Sequence, residues 1–454
     1  MMKKLLFSVF LAVSLYAIFS LSVSAAPASA PGGTVTSYDE LKAALGGDEV
    51  VKSEDGYLLM LSDIRLEAPV VIRSGEYVLR GAGIVITASF DKGSFFEIES
   101  GDKTALHLGS LAETGSNDSL TLDGEGKTRE GSLVLIDEGA TLSLYAGTVL
   151  KDNVTSVTGG AVSCFGSLIM YGGSIEGCRS LGAGGAIYAK GQLILASGII
   201  SGCSGEFGGA LYNEGTASLA GTEMRECTAS KGGAVFNALT LALYSSSISD
   251  CSAKQGGCLY NSGESTLEGG QILTCKAENG EGGGIYNTGT LNMKGTYINE
   301  CAANKGGNLF NEGKAELSDG QVNRGTADLH GGGVFNAEKA QFTMSGGTLG
   351  GGKATYGGCL YNVGTVFLME GLIVNGKADV GAGALNEGTL CLSDGILVDK
   401  KNPIAIVITE DNAHAAQINA PLRPERVASL EPVVRVGDAY RIEYQEGFVL
   451  VAGP

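Results

Sequence analysis

One asparagine returns along this chain with a regularity that limits its fold to a stack of nearly identical units. In the pattern Gly-Gly-small-aliphatic-aromatic-Asn it falls at Asn213, Asn237, Asn261, Asn287, Asn311, Asn336, Asn362 and Asn386, in steps of 24, 24, 26, 24, 25, 26 and 24 residues. A second column keeps the same register: Asn153, then Cys178, Cys203, Cys227, Cys251, Cys275 and Cys301, then Gly325, Gly352 and Gly376. Each of its members stands three residues after an aliphatic one, from Leu150 and Ile175 to Leu349 and Ile373. Two columns in one register define a repeat.

Within each unit the pattern runs through a short strand ending in Asn, a turn, a strand such as TLALY, a tight turn, a strand ending I-x-x-C, and a loop. Three short strands without a helix cannot bury an apolar face alone, so each unit must stack on its neighbours as a solenoid. With rungs ~4.8 Å apart, the ten or so explicit coils span roughly 45 to 50 Å, and upstream strands add about four more coils. The expected fold class is all-β, a single-stranded right-handed parallel β-helix with three short strands per coil of 24–26 residues.

Alternation along a strand assigns the faces. Val162, Ile187, Leu211, Val235, Leu259, Ile285, Leu309 and Val334 are all branched aliphatics and point inward. The Asn two residues later lies on the same side, at a corner. Stacked Asn side chains satisfy one another and the backbone of the bend, which offsets the cost of burying an amide. The ladder is therefore structural.

The ends differ. Lys3 and Lys4, the apolar run over residues 5–21 and Val23-Ser24-Ala25 have the pattern of a secretory signal peptide over residues 1–25, followed by a soluble extracytoplasmic protein. Residues 26–48 read as a linker and a capping helix: Ser37-x-x-Glu40 is a capping box, Leu41, Ala44 and Leu45 share a face, and Gly46 is the stop. The β-helix is assigned to residues 49–401. From residue 402 the prolines Pro403, Pro421, Pro424 and Pro432 break the pattern, and weak alternation over residues 441–451 predicts a β-containing cap, 402–454. The 72 glycines lack collagen's every-third spacing and serve turns.

With 49 acidic against 31 basic residues, net −18, the chain's field repels phosphate backbones and anionic lipid headgroups. Nucleic acid is excluded as an expected partner. No later segment approaches the ~18 apolar residues of a membrane span.

The units resemble those of bacterial polymorphic outer-membrane proteins and related surface adhesins, right-handed parallel β-helix proteins whose repeats pair an F-x-x-N element with a GGA-aliphatic element. Leu150-Lys151-Asp152-Asn153 followed by Gly159-Gly160-Ala161-Val162 is similar to that unit, and Ile248-x-x-Cys251 with Gly256-Gly257-Cys258-Leu259 is a variant of it. The resemblance covers about residues 150–400. It implies the fold and a secreted or cell-surface interaction role of adhesin type. Two departures stand out: Cys replaces Asn in one column, and the family's C-terminal membrane barrel is not seen.

Three side-chain sets could carry chemistry. Cys178, Cys203, Cys227, Cys251, Cys275 and Cys301 read as a stack of buried thiols, because in-register Cβ atoms ~4.8 Å apart exceed the ~3.8 Å that a disulfide favours; rung-to-rung disulfides are the alternative. Tyr188, Tyr212, Phe236, Tyr260, Tyr286, Phe310, Phe335 and Tyr361 alternate with the inward aliphatics and should face outward, as a packed stack or as a platform for an extracellular glycan or protein surface. Glu226, Asp250 and Glu300 precede the Cys column, while Glu268, Asp319, Glu370 and Asp394 sit in the tight turns; Glu226 and Asp250 on adjacent rungs could form an acid pair or a Ca²⁺ site, although exposed carboxylates are usually just solvated.

β-helix enzymes such as pectate lyases and polygalacturonases set the rival expectation, a polysaccharide-acting lyase or hydrolase. The N-T-D, G-H-G and R-I-K elements of polygalacturonases are absent, and His330 in L-H-G-G-G reads as a turn residue. No phosphate loop, nucleophile elbow or zinc signature occurs, so neither cofactor nor metal is expected. A third reading is a structural spacer.

Overall fold

The protein is seen in a computed structural model that describes residues 31–46, 57–101, 103–109, 119–398, 404–406, 434–436, 441–445 and 448–452. The proposed signal peptide lies outside them. The described chain is an all-β parallel solenoid of about 14 turns, of the right-handed type.

One coil shows how the sequence closes it. Leu259–Asn261 pairs in register with Val235–Asn237 before it and Ile285–Asn287 after it, so the Leu-Tyr-Asn pattern becomes three columns. Glu264–Glu268 and Gln271–Leu273 follow and pair in parallel with their counterparts in the next coil. Propagated, these strands build a 15-stranded sheet and a 25-stranded sheet. A 4-stranded sheet joins the loop segments Ser252–Gln255, Lys276–Glu281, Ala302–Lys305 and Thr326–His330. The corner between loop and Asn strand depends on glycine: Gly256 has φ +64°, and a Cβ on Gly257 would sit 2.2 Å from the Gly283 carbonyl oxygen.

The core is continuous. Val162, Ile187, Leu211, Val235, Leu259, Ile285, Leu309 and Val334 are all fully buried in it. At the corner the Asn ladder forms as expected: the amide of Asn213 donates to Asn237 Oδ1 at 2.8 Å, and the same bond repeats from Asn237, Asn261, Asn287, Asn311, Asn336 and Asn362 up to Asn386, at 2.6 to 2.9 Å. Each donor also reaches a backbone carbonyl, such as that of Thr290 for Asn261 at 3.0 Å.

Helix α1, Tyr38–Gly46, plugs the first coils, with Leu41 and Leu45 buried in the main core and Tyr38 and Ala44 packed against it. Its cap is a shifted capping box. Ser37 Oγ accepts from the Glu40 amide at 3.3 Å, while Glu40 reaches back past Ser37 to the Thr36 amide at 2.7 Å. At the other end the stack continues beyond the expected limit: Ile404–Ile406 pairs in parallel with Ala384–Asn386, and Val434–Val436 pairs with Ile404–Ile406. Arg441–Gln445 and Phe448–Ala452 then form an antiparallel hairpin.

The cysteine column is as expected in five of its six members. Cys178, Cys203, Cys227, Cys251 and Cys301 are free and buried. Cys275 departs, being disulfide-bonded to Cys258 rather than to a rung neighbour, with Cα atoms 5.7 Å apart. Two columns meet at this corner, and their sizes compensate. The residue before the inward aliphatic is Ala161, Ala186, Ala210 or Ala234 where the column holds Cys. It is Gly284 beside Cys301, while Asn308 and Cys359 fill the space over Gly325 and Gly376. Only the coil of Cys258 and Cys275 supplies a thiol from both sides, and there they bond.

Candidate functional site

Outside the 15-stranded sheet the eight aromatic residues form one rail. From Tyr188 to Tyr361 successive ring centroids are 4.8 to 5.7 Å apart and the ring planes differ by 2 to 21°. Face-to-face stacking uses up the ring faces that a sugar would need, leaving edges. The structure thus brings together all eight residues, but as a packed stack rather than an open platform.

The rail is not uniformly covered. Tyr260, Tyr286, Phe310, Phe335 and Tyr361 are buried and form a second apolar cluster with Leu385, whereas Tyr188, Tyr212 and Phe236 are only half-buried. Burial of Tyr260, Tyr286, Phe310, Phe335 and Tyr361 corrects the expectation of an outward-facing platform for these five of the eight rings. Three residues that stand just before Gly-Gly corners add cover: Lys231 Nζ lies 4.9 Å from the Tyr260 ring centroid, Lys305 Nζ lies 5.6 Å from that of Phe335, and His330 packs at 4.5 Å on Tyr361 and 6.1 Å on Phe335. Such a residue reaches the ring of its own coil, of the next coil, or of both. Ala183 holds this position opposite Tyr188 and is too short to reach.

Acids line the rail's other side. The Tyr188 and Tyr212 hydroxyls donate to Glu214 at 2.6 and 3.2 Å, and the Tyr286 hydroxyl donates to Glu312 at 2.8 Å. Burial, and next the neighbouring carboxylate, push the Tyr188, Tyr286 and Tyr361 hydroxyls above the ordinary phenol range. His330 moves the other way: burial, then Lys305, hold it below the usual imidazole range, while Glu387 opposes, and its Nδ1 is buried without a partner.

Two rings that the sequence reading passed over extend the open end. Phe165 lies 5.9 Å from Tyr188 at 56°, and Phe207 lies 6.4 Å from Tyr212 at 53° and 5.7 Å from Phe236 at 68°. Phe207 stands just before Gly208-Gly209, the position of Lys231 and His330, and brings an apolar ring to it, while Phe165 stands one residue after the Asn column. Phe165 is 38% exposed, and Leu181 and Leu239 on the Tyr188 and Phe236 coils are 52% and 53% exposed. The available signal was a Phe in each of the two positions flanking the rail, one after the Asn column and one before Gly-Gly.

The carboxylates are engaged elsewhere. Glu226 lies 3.6 Å from Arg225, Glu300 2.6 Å from Arg324 and Glu268 2.9 Å from Lys294, while Asp250 accepts from Thr274 Oγ1 at 2.7 Å and Asp319 from the Gly320 amide at 2.7 Å. Glu226, Asp250 and Glu300 hold left-handed corner conformations, φ 55 to 58°. Glu370 lies on Thr365–Val374, and the Asp394 side chain is outside the described residues. Among the described residues no group of three or more His, Cys, Asp or Glu is placed to hold a metal ion. Burial raises the Cys164 and Cys301 thiols to about 12 and that of Cys359 to about 11, which keeps them protonated and unreactive near neutral pH.

Compared with known proteins, the chain matches no family, no curated protein and no solved structure.

Proposed function

We propose that the protein is a secreted or cell-surface β-helix interaction module of adhesin type, docking an extracellular glycan or protein surface on the half-open aromatic patch of Phe165, Tyr188, Phe207, Tyr212 and Phe236. The observation that carries this reading is the contrast within one rail: at its first coils the rail is only half-buried and two extra apolar rings flank it, with exposed leucines on the same coils. Aromatic faces rimmed by polar groups, here Glu214, favour sugar stacking and protein contact. The likeness of the repeats to surface-adhesin repeats supports the same role. The buried half of the rail favours a second role in the same molecule, a stiff spacer that holds the patch away from its support.

A glycan array and a surface-protein pull-down with the wild-type protein and with Phe165→Ser/Phe207→Ser test this. Both rings lie outside the core stack, so the variant should keep the fold. Binding by the wild type that falls at least tenfold in the variant, at equal circular dichroism, is the expected result. Equal binding by both would contradict the reading.

A further inference from the structure

Several cations of this solenoid face an acid on a neighbouring rung: Lys294 with Glu268 at 2.9 Å, Arg324 with Glu300 at 2.6 Å, Lys151 with Asp123 at 3.0 Å and Lys305 with Glu281 at 3.7 Å. One rung pair is the reverse. Lys353 pairs in register with Lys377, placing two exposed ammonium groups on adjacent rungs, and neither makes an ion pair among the described residues. Like charges directly opposed destabilise a sheet, and on a chain of net −18 such a pair is not part of a general cationic surface.

These lysines line a cleft of about 630 Å³ together with Asn323, Arg324, Thr326 and Asn375, a volume in the range of small-ligand sites. Its shape follows from the sequence. At two successive corner positions the flanking coils carry Asn323-Arg324 and Val374-Asn375, whereas the middle coil carries Gly350-Gly351, so a notch opens between side chains above and below. On one side Asn323 is fixed by donating through Nδ2 to Gln321 at 2.6 Å.

The requirements of the cleft are complementary to one kind of molecule. The ammonium pair calls for an anionic oxygen, the exposed Thr326 and Asn375 side chains in the lining offer hydrogen bonds to hydroxyls, and the volume exceeds a single oxyanion. We propose that this cleft is a binding site for an acidic saccharide, its carboxylate on Lys353 and Lys377 and its ring hydroxyls on Thr326 and Asn375. The site lies on a different corner from the aromatic patch and does not depend on it.

Isothermal titration at low salt with digalacturonate as probe tests the site, with neutral galactobiose and sodium sulfate as comparison ligands. The expected result is saturable binding of digalacturonate that weakens with added salt. It should fall tenfold or more in Lys353→Gln/Lys377→Gln and persist in Lys276→Gln, which removes a cation from the same column outside the cleft. The double variant should melt at or above the wild-type temperature, because a repulsive pair is removed, so lost binding is separable from lost fold. No binding by the wild type, equal binding of galactobiose, or sulfate binding as tightly as digalacturonate would overturn the proposal.

Discussion

The coils of Tyr188 to Phe236 and those of Phe310 to Tyr361 share backbone, register and rail, yet present opposite surfaces. In the first, Ala183 leaves the rail's edge uncovered and Phe207 and Phe165 add tilted rings. In the second, Lys305 and His330 close over it, and the accessible chemistry moves to the corner notch floored by Gly350 and Gly351. In a solenoid the periodic positions build the scaffold. Irregular neighbours decide what the scaffold shows.

That comparison can be broken in graded steps. Between the two stretches sits the disulfide. Cys258→Ala restores the Ala-and-Cys corner of the preceding coils, so packing is kept and the expected loss, about 3 kcal/mol, is that of opening a loop of about this length. Denaturant midpoints measured with and without reductant should converge in the variant. Asn287→Leu interrupts the ladder common to both stretches and leaves the Asn261 donor without its side-chain acceptor, at a cost of about 2 kcal/mol in chemical denaturation.

Smaller effects address the cover alone. His330→Ala removes ring contacts with Phe335, Tyr356 and Tyr361 and should cost about 1 kcal/mol while increasing dye binding at the uncovered rings. The same cover should respond to acid. A histidine held below its usual range stabilises the folded state fully above its unfolded value, about 6.5, and that contribution is lost as the pH falls through its folded value. Lys305 reinforces the shift and Glu387 opposes it. Melting temperature should therefore decline below about pH 6.5 more steeply in the wild type than in His330→Phe.

Much of the scaffold was legible because it rests on local, repeated physics. Leu259 and Asn261 could be assigned to core and corner from alternation alone, and Leu41 and Leu45 to a plug from helical spacing. The site was less legible. Whether Tyr260 is open depends on Lys231 in the preceding turn, a contact that no periodic pattern encodes. The Cys258–Cys275 bond arises from two columns meeting across a corner, whereas sequence spacing suggests only pairing up the column. Ile404–Ile406 and Val434–Val436 were missed because prolines nearby masked two short rungs.

The most direct test of the central claim, that the gap left by Ala183 makes the first coils the docking surface, is the binding of the Ala183→Lys variant to the glycan or protein surface captured by the wild type. A lysine there would lie over Tyr212 as Lys231 lies over Tyr260. The account predicts a folded protein whose binding falls at least tenfold; binding equal to wild type would contradict it.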